Sequence, residues 1–118
     1  MVEDTRLGTI DVYPVAIASV ASDAVLQCYG VVGMAANVLR DGLAELLQRG
    51  SYHRGVEARI EDQRIVIDLY IIMEYGVRIS EVSHSIMATV KFNVEKTLGM
   101  PVSEVNVHVQ GLRVSNHE

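Results

Sequence analysis

The sequence predicts a two-layer α+β fold in which helices cover one face of a small, mainly antiparallel sheet. Apolar and polar residues alternate along residues 56–61 and 65–73, which is the pattern of two strands with one buried face. Apolar residues recur every three or four positions after Pro14 and after Ser80, which is the spacing of amphipathic helices. Helices that segregate to the apolar side of such a sheet would bury it.

The length and composition are typical of one domain spanning residues 1–118. The chain is 49% hydrophobic and contains only 9 glycines and 2 prolines, which excludes a disordered, collagen-like or low-complexity protein. A chain of this length can bury a core without covalent staples. We expect residues 1–7 and 113–118 to fray.

The first part of the chain predicts a strand and then a helix. Residues 8–13 alternate as a strand does, and Pro14 suits the first turn of a helix. The apolar stripe of this helix runs to Cys28, and Gly30 is placed to cap its end. Residues 31–34 form either a strand or a buried connection.

The middle of the chain carries a weaker helical signal. Apolar residues over 38–47 suggest one helix face, although Gly42 lowers helix propensity by about 1 kcal/mol relative to alanine. Residues 50–55 have a glycine at each end and are typical of a loop, which would contain His53.

A hairpin is the clearest local prediction. If Asp62 and Gln63 form a two-residue turn, Glu61 pairs with Arg64 and the apolar residues of both strands fall on one face. Asp-Gln is not a favoured turn pair, so a loop longer by one or two residues is the alternative.

The last part predicts a long helix and a final strand. Tyr75 and Gly76 end the hairpin's second strand, and Ser80 is expected as the N-cap of the helix. Gly99 ends that helix, and residues 105–110 alternate strictly as a strand.

Charge and cysteine content exclude several kinds of protein. The net charge of −5 has the wrong sign for a general phosphate-backbone binder, and the single Cys28 can form no intramolecular disulfide. The apolar stretch over residues 14–26 is shorter than the roughly 20 residues of a membrane span, and no targeting signal opens the chain. We therefore expect a cytoplasmic protein.

Nucleic-acid binding would require five arginines to gather into one patch: Arg49, Arg54, Arg59, Arg64 and Arg78.

No catalytic, cofactor-binding or metal-binding motif is recognisable. The histidines are not spaced as metal ligands, the serines lack a nucleophile elbow, and the glycines form no phosphate-binding loop. We interpret His53, His84 and His117 as solvated side chains and Cys28 as a buried thiol. No catalytic residue, metal or cofactor is predicted.

Five hydrogen-bonding side chains are predicted to share the polar face of the sheet. Asp68 and Tyr70 project from the hairpin, and Asn106, His108 and Gln110 project from the last strand. This face is either a binding surface or simply the solvated side of an antiparallel sheet. An Asp and a His within hydrogen-bond distance could also serve as a base and the group that orients it.

Several ordered blocks of the sequence resemble the alkaline shock protein family, the envelope stress response proteins of Gram-positive bacteria. The resemblance runs from residue 8 to residue 112. It is carried by residues 8–14 (GTIDVYP), 30–34 (GVVGM), 55–57 (GVE), 66–70 (VIDLY), 74–76 (EYG) and 105–111 (VNVHVQG).

The resemblance implies a small cytoplasmic α+β protein without enzymatic activity, associated with cell-envelope or alkaline stress. Some members are held at the inner face of the membrane through a membrane-anchored partner, and no catalytic residues are established to carry over. We therefore predict a protein that acts by protein–protein association, with self-association included, through the polar face. The alternative is a small-molecule-binding protein or an enzyme that uses the same face around Asp68 and His108.

Overall fold

The computed structural model describes residues 2–35 and 52–114 and confirms the predicted α+β class. The described chain forms seven strands and two helices, numbered here in chain order. These are β1 Val2–Asp4, β2 Thr9–Asp11, α1 Pro14–Leu26, β3 Val31–Met34, β4 Tyr52–His53, β5 Val56–Glu61, β6 Arg64–Glu74, α2 Ile79–Leu98 and β7 Val102–Arg113.

Strand β6 is the centre of a five-stranded sheet. Along one side it pairs with β5 through its first half and with β3 through its second half, antiparallel in both cases. Along the other side it pairs with β7, which runs parallel to it because α2 carries the chain back to the start of β6. Strand β4 adds to the outer edge of β5.

The hairpin follows the register that the alternation predicts. Glu61 pairs with Arg64 and Ala58 with Ile67, so the apolar residues of both strands share one face. The turn is no longer than two residues, and φ is positive at Asp62 (52°) and Gln63 (62°). This geometry is that of a type I′ turn, whose twist matches that of the flanking strands.

Helix α1 begins at Pro14 as predicted, but it ends at Leu26 rather than near Gly30. The prediction that Gly30 caps this helix is therefore wrong. Gly30 has φ +87° and lies in the turn into β3, where a Cβ would come within 3.2 Å of the Val82 side chain. The ambiguous residues that follow it form strand β3.

The second described helix differs from prediction at its start and agrees at its end. Arg78 rather than Ser80 is the N-cap of α2, and no side chain caps this end. Gly99 adopts the left-handed conformation with φ 71° and donates its N–H to the Glu95 carbonyl, which closes the helix.

Strand β7 is longer than the alternation predicts. It starts immediately after Pro101 and continues through Gly111 to Arg113. Its pairing with β6 shifts register twice, so that Ser103 and Gln110 are extra residues without a partner in the ladder.

Two segments predicted to lack regular structure contain strands. Val2–Asp4 pairs with β2 as a separate two-stranded sheet, closed by a turn in which Thr5 and Gly8 bond each other's backbone. His53 lies in the short strand β4 rather than in a loop. The helix predicted over residues 38–47 lies outside the described residues.

Both described helices pack on the apolar face of the sheet. The core combines alternate residues of β5 and β6 with the inner stripes of α1 and α2. Its fully buried larger members include Ile17, Val25, Ile65, Ile67, Leu69, Ile71, Met73, Ile86 and Val90. The opposite face therefore carries the alternate, mainly polar residues of the same strands.

Candidate functional site

A cluster of polar side chains from three neighbouring strands lies on the face opposite the helices. In the parallel ladder, Asp68 of β6 is opposite Asn106 of β7, and Tyr70 is opposite His108. Side chains paired in this way project from the same face of a sheet. We call Arg59, Asp68, Tyr70, Asn106 and His108 the polar cluster.

Asp68 is the centre of the polar cluster. Its Oδ1 accepts a hydrogen bond from Asn106 Nδ2 at 3.2 Å and lies 3.0 Å from His108 Nε2. Its Oδ2 accepts a hydrogen bond from Arg59 Nη2 at 3.0 Å. Because an ionised carboxylate only accepts, Nε2 is the donor in the contact with His108.

The ionised state of Asp68 is favoured by these donors. Burial raises the pKa of this carboxyl, since only 8% of the residue is exposed. The hydrogen bonds from His108, Asn106 and Arg59, together with the charge of Arg59, outweigh that effect and lower the pKa below its ordinary value. The cluster therefore holds a nearly buried negative charge at neutral pH.

Tyr70 and His108 present the accessible part of the polar cluster. Their rings stack with centroids 4.8 Å apart and planes 16° from parallel. The His108 side chain is 41% exposed, whereas that of Asp68 is 12% exposed. Asp68 contacts the His108 ring of this stack through Nε2, and both rings remain partly exposed.

The structure brings together four of the five predicted site residues. Asp68, Tyr70, Asn106 and His108 belong to the polar cluster, whereas Gln110 does not contact it through any hydrogen bond in the described part of the chain. Gln110 is the extra residue at the second register shift of β7 and is exposed. Strict alternation would have kept it in line with His108, and the bulge removes it.

Strand alternation also places Glu57 and Arg59 on this face, although neither was among the five predicted site residues. Arg59 bridges Asp68 and Glu61, whose Oε2 lies 2.8 Å from Arg59 Nη1. Glu57 lies directly opposite Asp68 across β5 and β6 and is only 3% exposed. The predicted hairpin register already implied both neighbours, because it aligned β5 with β6 residue by residue.

The remaining candidate residues do not converge. His84 is exposed on α2, and Cys28 lies beyond the end of α1 instead of on its stripe, where its Sγ is 3.4 Å from the Ala24 carbonyl oxygen. Burial raises the pKa of the Cys28 thiol, although a hydrogen bond with Thr89 partly opposes this. Among residues 2–35 and 52–114, no group of three or more His, Cys, Asp or Glu side chains could hold a metal ion.

Two of the five arginines that a nucleic-acid patch would require are paired with acids, and Arg49 lies outside the described residues. Arg59 is paired with Asp68 and Glu61, and Arg78 with Glu81 at 3.1 Å. A positive patch would need these guanidinium groups free of carboxylates.

A groove of about 620 Å³ lies away from the polar cluster. The hairpin of β1 and β2 forms one wall, and the turn of the main hairpin and the end of α2 form the other. Its apolar lining includes Ile10, Ile60 and Leu98, and its polar lining includes Glu3 and Asp4.

Neither described helix is long and apolar enough to cross a membrane.

Comparison with known proteins gives one family. The sequence profile of the Asp23 family, described as having a cell envelope-related function, matches residues 2–114 (the family name is unrelated to residue Asp23 of this chain). The chain is 48% identical over 113 residues to uncharacterized protein YloU of Bacillus subtilis, covering 95% of this chain and 94% of YloU. It is 40% identical over 112 residues to uncharacterized protein Spy1614 of Streptococcus pyogenes, covering 94% and 93% respectively.

Solved structures share the fold at low sequence identity. The copper form of the MamM CTD is similar with a TM-score of 0.51 and 16% identity, over 87% of this chain and 90% of that chain. A second MamM CTD structure has a TM-score of 0.50 and 16% identity, over 87% of this chain and all of that one. This likeness concerns the α+β arrangement alone.

Proposed function

This chain belongs to the Asp23 family, the alkaline shock protein family that its sequence resembles, and we propose that it is a non-enzymatic docking protein of the cell-envelope stress response. It acts by protein–protein association through the polar face of its sheet. The family's cell envelope-related function sets the context, and the polar cluster supplies the surface.

The observation that carries this proposal is the Tyr70–His108 stack anchored on Asp68. Stacked aromatic rings at 4.8 Å offer a partner apolar contact area with hydrogen-bonding atoms at the edge. Their position is fixed before binding, because Asp68 holds His108 at 3.0 Å. A surface that is already ordered loses little conformational entropy when a partner binds.

We place the protein in the cytoplasm, at the inner face of the cell membrane through a membrane-anchored partner. The family's cell envelope-related function supports a position near the membrane. A partner that contributes the membrane segment would reconcile this position with the acidic chain, whose net charge of −5 opposes direct binding to anionic lipid.

The second candidate function is small-molecule binding or catalysis at the same face. The 3.0 Å contact between His108 Nε2 and Asp68 Oδ1 favours it, since a carboxylate that orients an imidazole is a common general-base arrangement. Against it, both Asp68 oxygens already accept hydrogen bonds from this chain, and the 620 Å³ groove is lined by other residues. A ligand that shifts the NMR signals of Tyr70 and His108 in a saturable way would favour this second function.

The docking function is tested by comparing two matched double variants in affinity capture. Tyr70→Ala with His108→Ala removes the stack, whereas Tyr75→Ala with His84→Ala removes the same residue types from exposed positions outside the polar cluster. The immobilised wild-type chain is exposed to cytoplasmic and membrane fractions of the cells that produce it. The proteins that it retains are then quantified for each variant.

We expect the first variant to retain its specific partner at least tenfold less than the wild type, because aromatic anchors dominate binding energy. The second variant should retain the partner at the wild-type level. Circular dichroism and thermal melting establish that both variants are folded. Equal retention by the two variants would exclude the polar cluster as the docking surface.

A further inference from the structure

The outer edge of β7 is a long strand edge along which no described strand lies. β7 pairs with β6 on one side only, and its 12 residues contain neither proline nor lysine. Natural sheets commonly protect such edges with proline, inward charges or bulges, and here the bulges lie only near the two ends of the strand. The regular stretch between Glu104 and Val109 is therefore a template for another strand.

Backbone hydrogen bonds establish which main-chain groups of β7 face outward. Tyr70 donates its N–H to the Gly55 carbonyl and accepts a hydrogen bond from the Ala35 N–H, so the main-chain groups of even-numbered β6 residues face β5 and β3. The odd-numbered residues therefore face β7, as Ile65 does when its N–H donates to the Pro101 carbonyl. In a parallel ladder each of these residues bonds to the two residues that flank its partner.

The backbone groups of three valines in β7 therefore face away from β6. Ile67, Leu69 and Ile71 are opposite Val105, Val107 and Val109 in the ladder. Each of these β6 residues bonds to the residues that flank its valine partner. The N–H and C=O groups of Val105, Val107 and Val109 therefore point away from β6.

We propose that β7 pairs antiparallel with β7 of a second copy of this chain, with Val107 opposite the partner's Val107. In this register Val105 lies opposite the partner's Val109, and all outward N–H and C=O groups of the three valines are satisfied. The pairing forms about six hydrogen bonds and joins two five-stranded sheets into one.

The side chains favour a second copy as the occupant, because each surface in a two-fold interface must complement itself. On the polar face, Asn106 lies opposite the partner's His108, a hydrogen-bonding pair on each side of the axis. On the helix face, the three half-buried valines meet their counterparts, which covers apolar area that one copy leaves exposed. The adjoining groove of about 300 Å³ between α2 and β7 carries both a cation, Lys91, and an anion, Glu104.

This inference rests on the proposed mode of action, association between protein chains, but its main contact is the backbone edge of β7, and it shares only Asn106 and His108 with the polar cluster. It would place two polar clusters side by side and give a partner with two binding segments a bivalent surface. Loss of the dimer leaves each polar cluster intact. The capture experiment above and the experiments below can therefore fail independently.

The first test is sedimentation velocity over a range of concentrations. The wild type should show a concentration-dependent monomer–dimer equilibrium. Val107→Pro removes the outward N–H while leaving the bonds to β6, since those come from neighbouring residues. Two of about six hydrogen bonds are lost in the dimer, and we expect dissociation to be favoured about thirtyfold.

A cysteine series tests the register without proline, in a Cys28→Ala background. Paired residues of an antiparallel ladder lie about 5.5 Å apart between Cα atoms, within the range of a disulfide. Val107→Cys should form a dimeric disulfide on mild oxidation. Val105→Cys alone should not, because two copies of that residue are about 13 Å apart, whereas a mixture of Val105→Cys and Val109→Cys should cross-link.

Amide hydrogen exchange on the unmodified chain completes the test. Protection of Val105, Val107 and Val109 should rise with protein concentration, whereas Asn106 and His108 should be protected at every concentration by β6. A chain that stays monomeric, a dimer unaffected by Val107→Pro, or cross-linking of Val105→Cys alone would each overturn the proposed pairing.

Discussion

At the scale of single residues, Asp68 links the proposed docking surface to the stability of the sheet. Three donors from β5 and β7 converge on one carboxylate that is only 8% exposed. These bonds connect β5 and β7 to β6 on the face of the sheet that no described helix covers. A nearly buried charge is stable only while such donors remain in place. The residues that would present Tyr70 and His108 to a partner therefore also hold three strands together.

Replacing Asp68 tests this linkage through pH. We expect Asp68→Asn to lower the free energy of unfolding by about 2 kcal/mol at pH 7, because charged hydrogen bonds to Arg59 and His108 are lost. The pKa of Asp68 is lowered by folding, so its stabilisation is present above the pKa of the unfolded chain. It is lost as the pH falls through the folded pKa.

The measurement is urea unfolding of both proteins between pH 7 and pH 3. The difference in stability between wild type and Asp68→Asn should shrink steadily below about pH 4. Asp11→Asn, at an exposed carboxylate of β2, serves as the control and should change stability little. A difference that grew on acidification would contradict the proposed role of the carboxylate.

The sequence predicts most of this cluster because strand alternation assigns side chains to faces without knowledge of the fold. Asp68, Tyr70, Asn106 and His108 were all placed correctly on the polar side. Arg59 was left out of the site because its contact is diagonal across β5 and β6 and depends on how a long side chain bends. Gln110 was predicted to lie in line with them, but a bulge interrupts the alternation at that residue.

At the scale of elements, local sequence patterns predicted individual strands and helices, whereas pairing between segments distant in the sequence could not be predicted. The β5–β6 hairpin was predicted residue by residue because both strands and the turn lie within one short segment. The parallel partner of β6 could not be predicted, since β7 arrives only after the whole of α2. The end of α1 was misplaced because Gly30, whose positive φ would suit a helix C-cap, lies instead in the turn into β3 beside Val82.

Gly55 is a position in the sheet where the surrounding atoms leave no room for a side chain. It lies where β3 and β5 meet along β6 and has φ +83°. Because glycine has no Cβ, it fits into this crowded junction. A Cβ there would lie 2.9 Å from the Met34 Cβ and 3.0 Å from the Tyr70 carbonyl oxygen. The first distance is shorter than real Cβ contacts, the second is tighter than most of them, and the second atom belongs to the backbone of the central strand.

We expect Gly55→Ala to lower the free energy of unfolding by about 3 kcal/mol, from backbone strain and the close contacts together. Gly76→Ala is the matched control. Gly76 also has positive φ, at 101°, but nothing lies within 4 Å of the added Cβ. Its cost should be limited to the backbone term of about 1 kcal/mol. Equal losses in urea unfolding would show that the junction tolerates the extra atom.

At the scale of the whole molecule, the main sheet has three distinct surfaces. The helices seal one face into the core, the polar cluster lies on the other, and the outer edge of β7 is the surface where we propose that a second copy pairs. The hairpin of β1 and β2 stands apart as its own two-stranded sheet. Isolated hairpins are marginally stable, so this unit should contribute little to cooperative folding.

Removal of residues 1–7 tests this division between the main sheet and the hairpin. Val2 is 60% exposed and Leu7 is fully exposed, so the deletion uncovers little apolar area. We expect the free energy of unfolding to change by less than about 1 kcal/mol, measured by urea unfolding. Leu69→Ala, at a fully buried position of β6, should instead cost about 3 to 4 kcal/mol. If the deletion cost as much as Leu69→Ala, the groove between this hairpin and the end of α2 would belong to the cooperative core.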